Sequence, residues 1–204
     1  MKWLLWIVGA LVVVVLALWT PDKPRDGLEA KYAGPPSQFV DVAGLRLHVR
    51  DSGPAAAPAV VMLHGLGASL HTWDAWADGL TGFRVIRFDL PGFGLTGPDP
   101  GNDYSDARSV AVIVALLDQL GIARASVVGH SMGGRIAWQF AAAHPDRIDR
   151  LVLISPDGFA SPGFGVRQGS GGAAVRVADA RRAAEVHAAH EPRARLRGRE
   201  ADHR

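Results

Sequence analysis

The chain has no cysteine among its 204 residues, and this absence removes several kinds of chemistry. Without a thiol there is no disulfide, no thiolate metal site and no cysteine nucleophile. Net charge is nearly absent too, because 22 basic side chains against 20 acidic ones leave +2 at pH 7. We therefore expect no nucleic acid as a main partner. Metal-ligand spacings and nucleotide-binding motifs are also missing, so we expect no cofactor.

Long apolar runs are scarce, except for one at the N terminus from Trp3 to Trp19. Its length is close to the lower limit of ~17–25 residues that a helix needs to cross a membrane. We predict a transmembrane anchor over residues 1–20, which contacts the lipid bilayer through residues 3–19, and we prefer the exported side for the domain. A cleaved signal peptide is the alternative, but Ala17-Leu18-Trp19 does not provide the small-x-small cleavage site.

The composition beyond the apolar run indicates a linker, a domain and a tail. Residues 21–37 contain four prolines and mixed charges, which is typical of a linker. Two alternating runs on either side of Ala43-Gly44 predict a hairpin. After it, apolar strands ending in glycine-rich loops alternate with helical patterns. This order predicts an α/β fold with a doubly wound, mostly parallel sheet, whose ligands bind at the carboxyl ends of the strands.

The central motif is Gly129-His130-Ser131-Met132-Gly133, a G-x-S-x-G sequence. Apolar β-branched residues precede it and residues with helical spacing follow it. We therefore place Ser131 on a sharp turn from a strand into a helix, where glycine on both sides lets the two elements approach closely. Free N–H groups at the helix start favour a developing negative charge near the serine hydroxyl.

From residue 38 to residue 164 the chain resembles the first half of an α/β-hydrolase. The resemblance rests on motifs in the expected order: His64-Gly65-Leu66-Gly67, Trp73, Asp89-Leu90-Pro91-Gly92-Phe93-Gly94 and Gly129-His130-Ser131-Met132-Gly133-Gly134. Similar proteins include esterases, C–C bond hydrolases, epoxide hydrolases and haloperoxidase-like enzymes. A serine at the nucleophile position disfavours the epoxide hydrolases and dehalogenases of this family, which use aspartate there.

The resemblance implies Ser131 as the nucleophile. It also implies an oxyanion hole formed by the backbone N–H groups of Met132 and Leu66, each of which is worth ~10²–10³ in rate. The implied substrates are small molecules, either esters or related carbonyl compounds. We expect His64 to orient the oxyanion loop and the His130 side chain to point away from the site. Asp89 either ties down the turn that follows it or is solvated.

A serine nucleophile needs a base, and the base needs an acid that orients it. Asp157 is a candidate acid because it follows the strand after the nucleophile, but no catalytic histidine is identified. Asp179 with His187 or His190 has the correct chain order, yet no predicted strand positions these residues. In the family order the acid and then the histidine follow the serine, so the domain is expected to be truncated.

The tail, residues 165–204, is rich in arginine, alanine and glycine and contains no apolar run for a buried strand. Two interpretations stay open: the tail is disordered or read out of frame, or it is a natural basic segment that binds anionic lipid or nucleic acid. Three functions follow for the chain. It is a membrane-anchored serine hydrolase, an inactive fragment of one, or a membrane-tethered binding protein on a degenerate hydrolase scaffold.

Overall fold

The computed structural model describes residues 2–158 and 175–178, and its two compact units are Met1–Gly34 and Pro35–Arg204. The first unit begins with helix α1, Lys2–Leu18, which has 17 residues. Within the described residues, no helix is both long and apolar enough to cross a membrane. At ~1.5 Å per residue, α1 is about 26 Å long, against ~30 Å of hydrocarbon. The transmembrane anchor predicted over residues 1–20 is therefore not supported, and the localisation stays a prediction.

The segment predicted as a linker contains a second helix, α2, Arg25–Tyr32. Pro24 precedes it, Asp26 lies in its first turn and Lys31 in its last, so the charges at both ends complement the helix dipole. None of its residues is buried. A helix that is polar on all sides has no apolar period, which is why the sequence pattern did not reveal it.

The second unit is built on a mixed sheet. Its strands are Ser37–Val42 (β1), Leu45–Ser52 (β2), Ala59–Leu63 (β3), Arg84–Phe88 (β4), Ala125–His130 (β5), Ile148–Ile154 (β6) and Val175–Ala178 (β7). Their order across the sheet is β1-β2-β4-β3-β5-β6-β7. The four consecutive strands β4, β3, β5 and β6 are parallel, as predicted, and β2 is antiparallel to β4. Strand β1 pairs with β2 as the predicted hairpin around Ala43-Gly44.

Helices cover the two faces of the sheet unequally. They are α3 (Asp74–Gly79), α4 (Asp106–Gln119) and α5 (Met132–Ala143), with 3₁₀ turns at Leu70–Trp73 and Pro145–Arg147. Residues such as Ile113 of α4 and Phe140 of α5 belong to the main core on one face. The opposite face has a small core around Trp73 and Met62, where Val152 and Ile154 are only partly buried. Alternate residues of β3, β4, β5 and β6 supply the two cores, as the pleat requires.

Strand β7 lies inside the segment predicted to be a tail without strands. Its backbone pairs antiparallel with β6, so that Val175 is opposite Ile154 and Ala178 is opposite Leu151. An open sheet edge offers unpaired N–H and C=O groups to any nearby β-branched segment. The rest of the predicted tail lies outside the described residues, as do Asp179, His187 and His190, so those predictions are untested.

Candidate active site

Ser131 occupies the sharp turn that the G-x-S-x-G motif predicts, between the end of β5 and the start of α5. Its φ of 52° and ψ of −119° are a conformation that few residues other than glycine adopt. A Cβ added at Gly129 would overlap the carbonyl oxygen of Gly133, and one added at Gly133 would overlap that of Leu63. The motif needs glycine at both positions because strand and helix backbones touch there.

The backbone of Ser131 is fixed, while its side chain is left available. Its N–H donates to the carbonyl oxygen of Ile154 at 3.1 Å, and its own carbonyl oxygen accepts from Arg135 N at 3.0 Å. The hydroxyl does not cap α5 and has no hydrogen-bond partner among the described residues. The turn thus presents a hydroxyl in a rigid position, but without a general base beside it.

The two predicted oxyanion donors line one cavity. Met132 is the first residue of α5 and Leu66 lies in the loop after β3, and both border a cavity of about 380 Å³. Neither backbone N–H has an acceptor among the described residues. Met132 directly follows Ser131, so two residues whose backbone N–H groups are unpaired border one cavity beside the serine turn. Such N–H groups are the kind that stabilise the negative oxygen of a tetrahedral intermediate.

His64 holds the peptide group that carries the Leu66 N–H. Its Nδ1 lies 2.8 Å from the Gly65 carbonyl oxygen, and the Leu90 N–H donates to its Nε2 at 3.0 Å. Since Nε2 accepts, the proton is on Nδ1 and is donated to Gly65. The Gly65 C=O and the Leu66 N–H belong to one trans peptide and point in opposite directions. Holding the oxygen on one side therefore directs the N–H to the other, as predicted for an orienting His64.

His64 is fully buried, and its burial keeps it neutral. Desolvation is the main effect and lowers the pKa of His64 below 6.5, although the hydrogen bond to Gly65 and the charge of Asp89 oppose it. A protonated ring would also lose its acceptor for the Leu90 N–H. His64 is therefore suited to hold the loop rather than to transfer protons.

The wall of the cavity is mostly apolar, with a polar rim. Leu90, Pro91 and Phe93 come from the turn after β4, and Ile136 comes from α5. The polar residues at the same cavity are Tyr104, Asp106, Ser109 and Arg135. An apolar pocket with a few polar groups is the usual site for a small organic molecule.

Asp89 ties down the turn that forms this wall. It is buried, and its carboxylate accepts from Leu70 N at 2.7 Å, from Leu95 N at 2.8 Å and from His48 Nδ1 at 2.8 Å. Burial alone raises the pKa of Asp89, but these hydrogen bonds outweigh it and lower the pKa below 3.8. Of the two roles left open for Asp89, the structure favours the structural one. The pairing with His48 was missed, because only strand register reveals it.

Asp157, the candidate acid, is in an ion pair instead of beside a histidine. Its Oδ1 lies 2.9 Å from Arg135 Nε, and Arg135 also binds Asp106. The Asp157 side chain is about half exposed. The Nδ1 of His130 lies 3.0 Å from the position of a Cβ at Gly65. This side chain is therefore beside the oxyanion loop, contrary to the expectation that it points away from the site. No described histidine hydrogen-bonds Ser131, and the role of Asp157 stays a prediction.

Comparisons with known proteins identify hydrolases as relatives of this chain. The chain is 38% identical over 129 residues to a 2-hydroxy-6-oxononadienedioate/2-hydroxy-6-oxononatrienedioate hydrolase of Burkholderia vietnamiensis, with 58% of the chain and 44% of that protein covered. It is 38% identical over 122 residues to epoxide hydrolase 2 of Siraitia grosvenorii, covering 57% and 37%. The chain thus spans about two fifths of the length of these curated relatives.

A solved structure has the same fold. A hydrolase from Pseudomonas aeruginosa superimposes with a TM-score of 0.58 at 35% identity, covering 63% of this chain and 49% of that one. The family model for the α/β-hydrolase fold matches residues 58–184, a range that contains the turn at Ser131, both predicted oxyanion donors and β7. With this match, the strained serine turn and the mixed sheet around it, the chain belongs to the α/β-hydrolase fold family.

Proposed function

We propose that this chain carries the nucleophile and the oxyanion hole of a serine hydrolase for small esters or related carbonyl compounds. The observation that carries the proposal is the strained Ser131 at the start of α5, with the N–H groups of Leu66 and Met132 unpaired at one cavity. The Burkholderia relative is named for a keto substrate, which supports a carbonyl compound. A serine rather than an aspartate at position 131 supports carbonyl chemistry over epoxide opening.

The reaction would start with attack of Ser131 Oγ on the carbonyl carbon. The new C–O bond turns the carbonyl oxygen into an oxyanion, which the two N–H groups stabilise. A base takes the hydroxyl proton and returns it to the leaving group, and water then hydrolyses the acyl-enzyme. Among the described residues, no histidine hydrogen-bonds the Ser131 side chain, so the proposal leaves the base and the acid that orients it unassigned.

A fluorophosphonate probe with and without added imidazole tests the proposal. The probe forms a bond from Ser131 Oγ to phosphorus and releases fluoride, and imidazole supplies the missing base. We expect labelling of the Ser131 peptide in the full chain, increasing with imidazole concentration, and none at this peptide in Ser131→Ala. Fast labelling without imidazole would place a base in the undescribed residues. A folded chain whose Ser131 stays unlabelled at high imidazole would refute the proposal and favour an inactive scaffold.

A further inference from the structure

A second serine, Ser37 at the start of β1, has the hydrogen-bond chain that Ser131 lacks. Its Oγ lies 2.9 Å from His48 Nε2, and His48 Nδ1 lies 2.8 Å from Asp89 Oδ2. The antiparallel register of β1 and β2 places Ser37 opposite Arg50, two residues beyond His48 on the same face of β2. Serine, histidine and aspartate are thus connected in the order that activates a hydroxyl.

The charge of Asp89 determines which atoms donate and which accept in these two hydrogen bonds. Its pKa is low, so the carboxylate is ionised and can only accept hydrogen bonds. The hydrogen between Asp89 and His48 must therefore be on Nδ1. In the neutral ring Nε2 is then an acceptor, and the Ser37 hydroxyl donates to it. This is the polarity that general-base activation of a serine requires.

Arg50 adds a permanent positive charge beside the hydroxyl. Its Nε–H donates to Ser37 Oγ at 2.8 Å, which occupies one lone pair of the oxygen and leaves its proton for His48. A cation at this distance stabilises the alkoxide that forms as the proton leaves. The other end of the guanidinium is fixed, since Arg50 Nη1 binds Asp74 Oδ1 at 3.1 Å.

The hydrogen-bonded residues Ser37, His48 and Asp89 differ in their burial. His48 is fully buried and packs against the ring of Phe39 at a centroid distance of 5.2 Å, whereas Ser37 is half-buried. Ser37 thus stands at the partly exposed end of the hydrogen-bonded trio, and His48 and Asp89 lie behind it in the interior. Four strand spacings separate β1 from β5, about 19 Å. The two serines therefore belong to different sites.

We propose that Ser37 is a second reactive hydroxyl, which small activated esters acylate and small fluorophosphonates phosphonylate. In the acylation, Ser37 Oγ bonds to the carbonyl carbon, its proton moves to His48 Nε2, and the leaving alkoxide takes that proton as its bond to carbon breaks. With a fluorophosphonate, the new bond is to phosphorus and fluoride leaves. The inference goes beyond the proposed function and does not depend on Ser131.

Peptide mapping after fluorophosphonate treatment of the full chain tests the inference. Ser52 is the matched control, because it is a half-buried serine on β2 whose hydroxyl donates to the Val85 carbonyl oxygen at 3.4 Å. No histidine of the described residues hydrogen-bonds it. We expect label on Ser37 and none on Ser52, without added imidazole. His48→Asn keeps a donor for Asp89 but removes the acceptor for Ser37, and should slow labelling by about 10²–10⁴-fold.

Three arms make the outcome decisive. Ser37→Ala should lose the label, while Ser52→Ala and Ser131→Ala should keep it at the Ser37 peptide. If the folded wild-type chain labels Ser37 no faster than Ser52, or if His48→Asn labels at the wild-type rate, the inference is wrong. Because label is measured separately on the Ser37 and Ser131 peptides, the experiment can refute this inference or the proposed function independently of the other.

Discussion

Replacing His64 by leucine tests how the oxyanion loop is held. Leucine fills much of the same buried space, so the change acts chiefly on hydrogen bonds. The Gly65 carbonyl oxygen loses the donor at 2.8 Å but keeps a second one, the Ala68 N–H at 3.2 Å. The Leu90 N–H loses its acceptor at 3.0 Å and is left unpaired in a buried place. The substitution thus removes the link that His64 makes between the oxyanion loop and the cavity wall.

The expected loss follows from these two bonds. A typical intramolecular hydrogen bond contributes about 0.5–1.5 kcal/mol net, and a buried group left unpaired costs about 1–3 kcal/mol. We expect His64→Leu to lower the free energy of unfolding by about 2–4 kcal/mol. His64→Asn can still donate to Gly65, and His64→Gln can still accept from Leu90. Each should therefore lose about half as much, roughly 1–2 kcal/mol.

Urea unfolding of the full chain, followed by circular dichroism, measures these differences. His144→Leu is the control, since this half-buried ring stacks on Phe140 at 5.5 Å and has no polar partner among the described residues. It should change the free energy of unfolding by no more than about 0.5 kcal/mol. If His64→Leu also stays within about 0.5 kcal/mol of the wild type, His64 does not hold the loop.

Three further predictions follow from the same contacts. The unfolded chain binds a proton at His64 near pH 6.5, whereas the folded chain binds it only at lower pH. The free energy of unfolding should therefore fall as the pH drops below 6.5. In urea titrations, His64→Gln should show a weaker dependence of this free energy on pH. Gly129→Ala forces strand and helix apart and should cost at least about 1–3 kcal/mol, whereas Gly82→Ala, with open space around it, should be near neutral. Asp157→Asn breaks a half-exposed ion pair and should cost under about 1 kcal/mol in the same assay, without changing imidazole-assisted labelling of Ser131.

The parts of the site that sequence predicts are those with local signatures. The turn at Ser131 was predicted because glycine is required wherever two backbones touch, and Gly129 and Gly133 mark those places. The parallel strands were predicted because a strand buried on both faces reads as a continuous apolar run. The loop after His64 follows from its position at the end of such a strand.

The features that the sequence does not predict depend on the register of paired strands, on the length of a helix or on which strands are neighbours in the sheet. The pairing of His48 with Asp89 and Ser37 follows from which strand lies beside which, and no spacing along the chain encodes that. Helix α2 has no apolar stripe, and β7 forms on an edge that only the folded sheet provides. The predicted anchor is not supported, because no described helix is both long and apolar enough to cross a membrane, and α1 ends at Leu18.

The most direct test of the central claim is nuclear magnetic resonance of the phosphonylated chain. If Ser131 and the two N–H groups form one site, the phosphonyl oxygen on Ser131 accepts from both. The amide proton resonances of Leu66 and Met132 should then move downfield on labelling with imidazole present, and should not move in Ser131→Ala. Labelled Ser131 with both amide resonances unchanged would contradict the account.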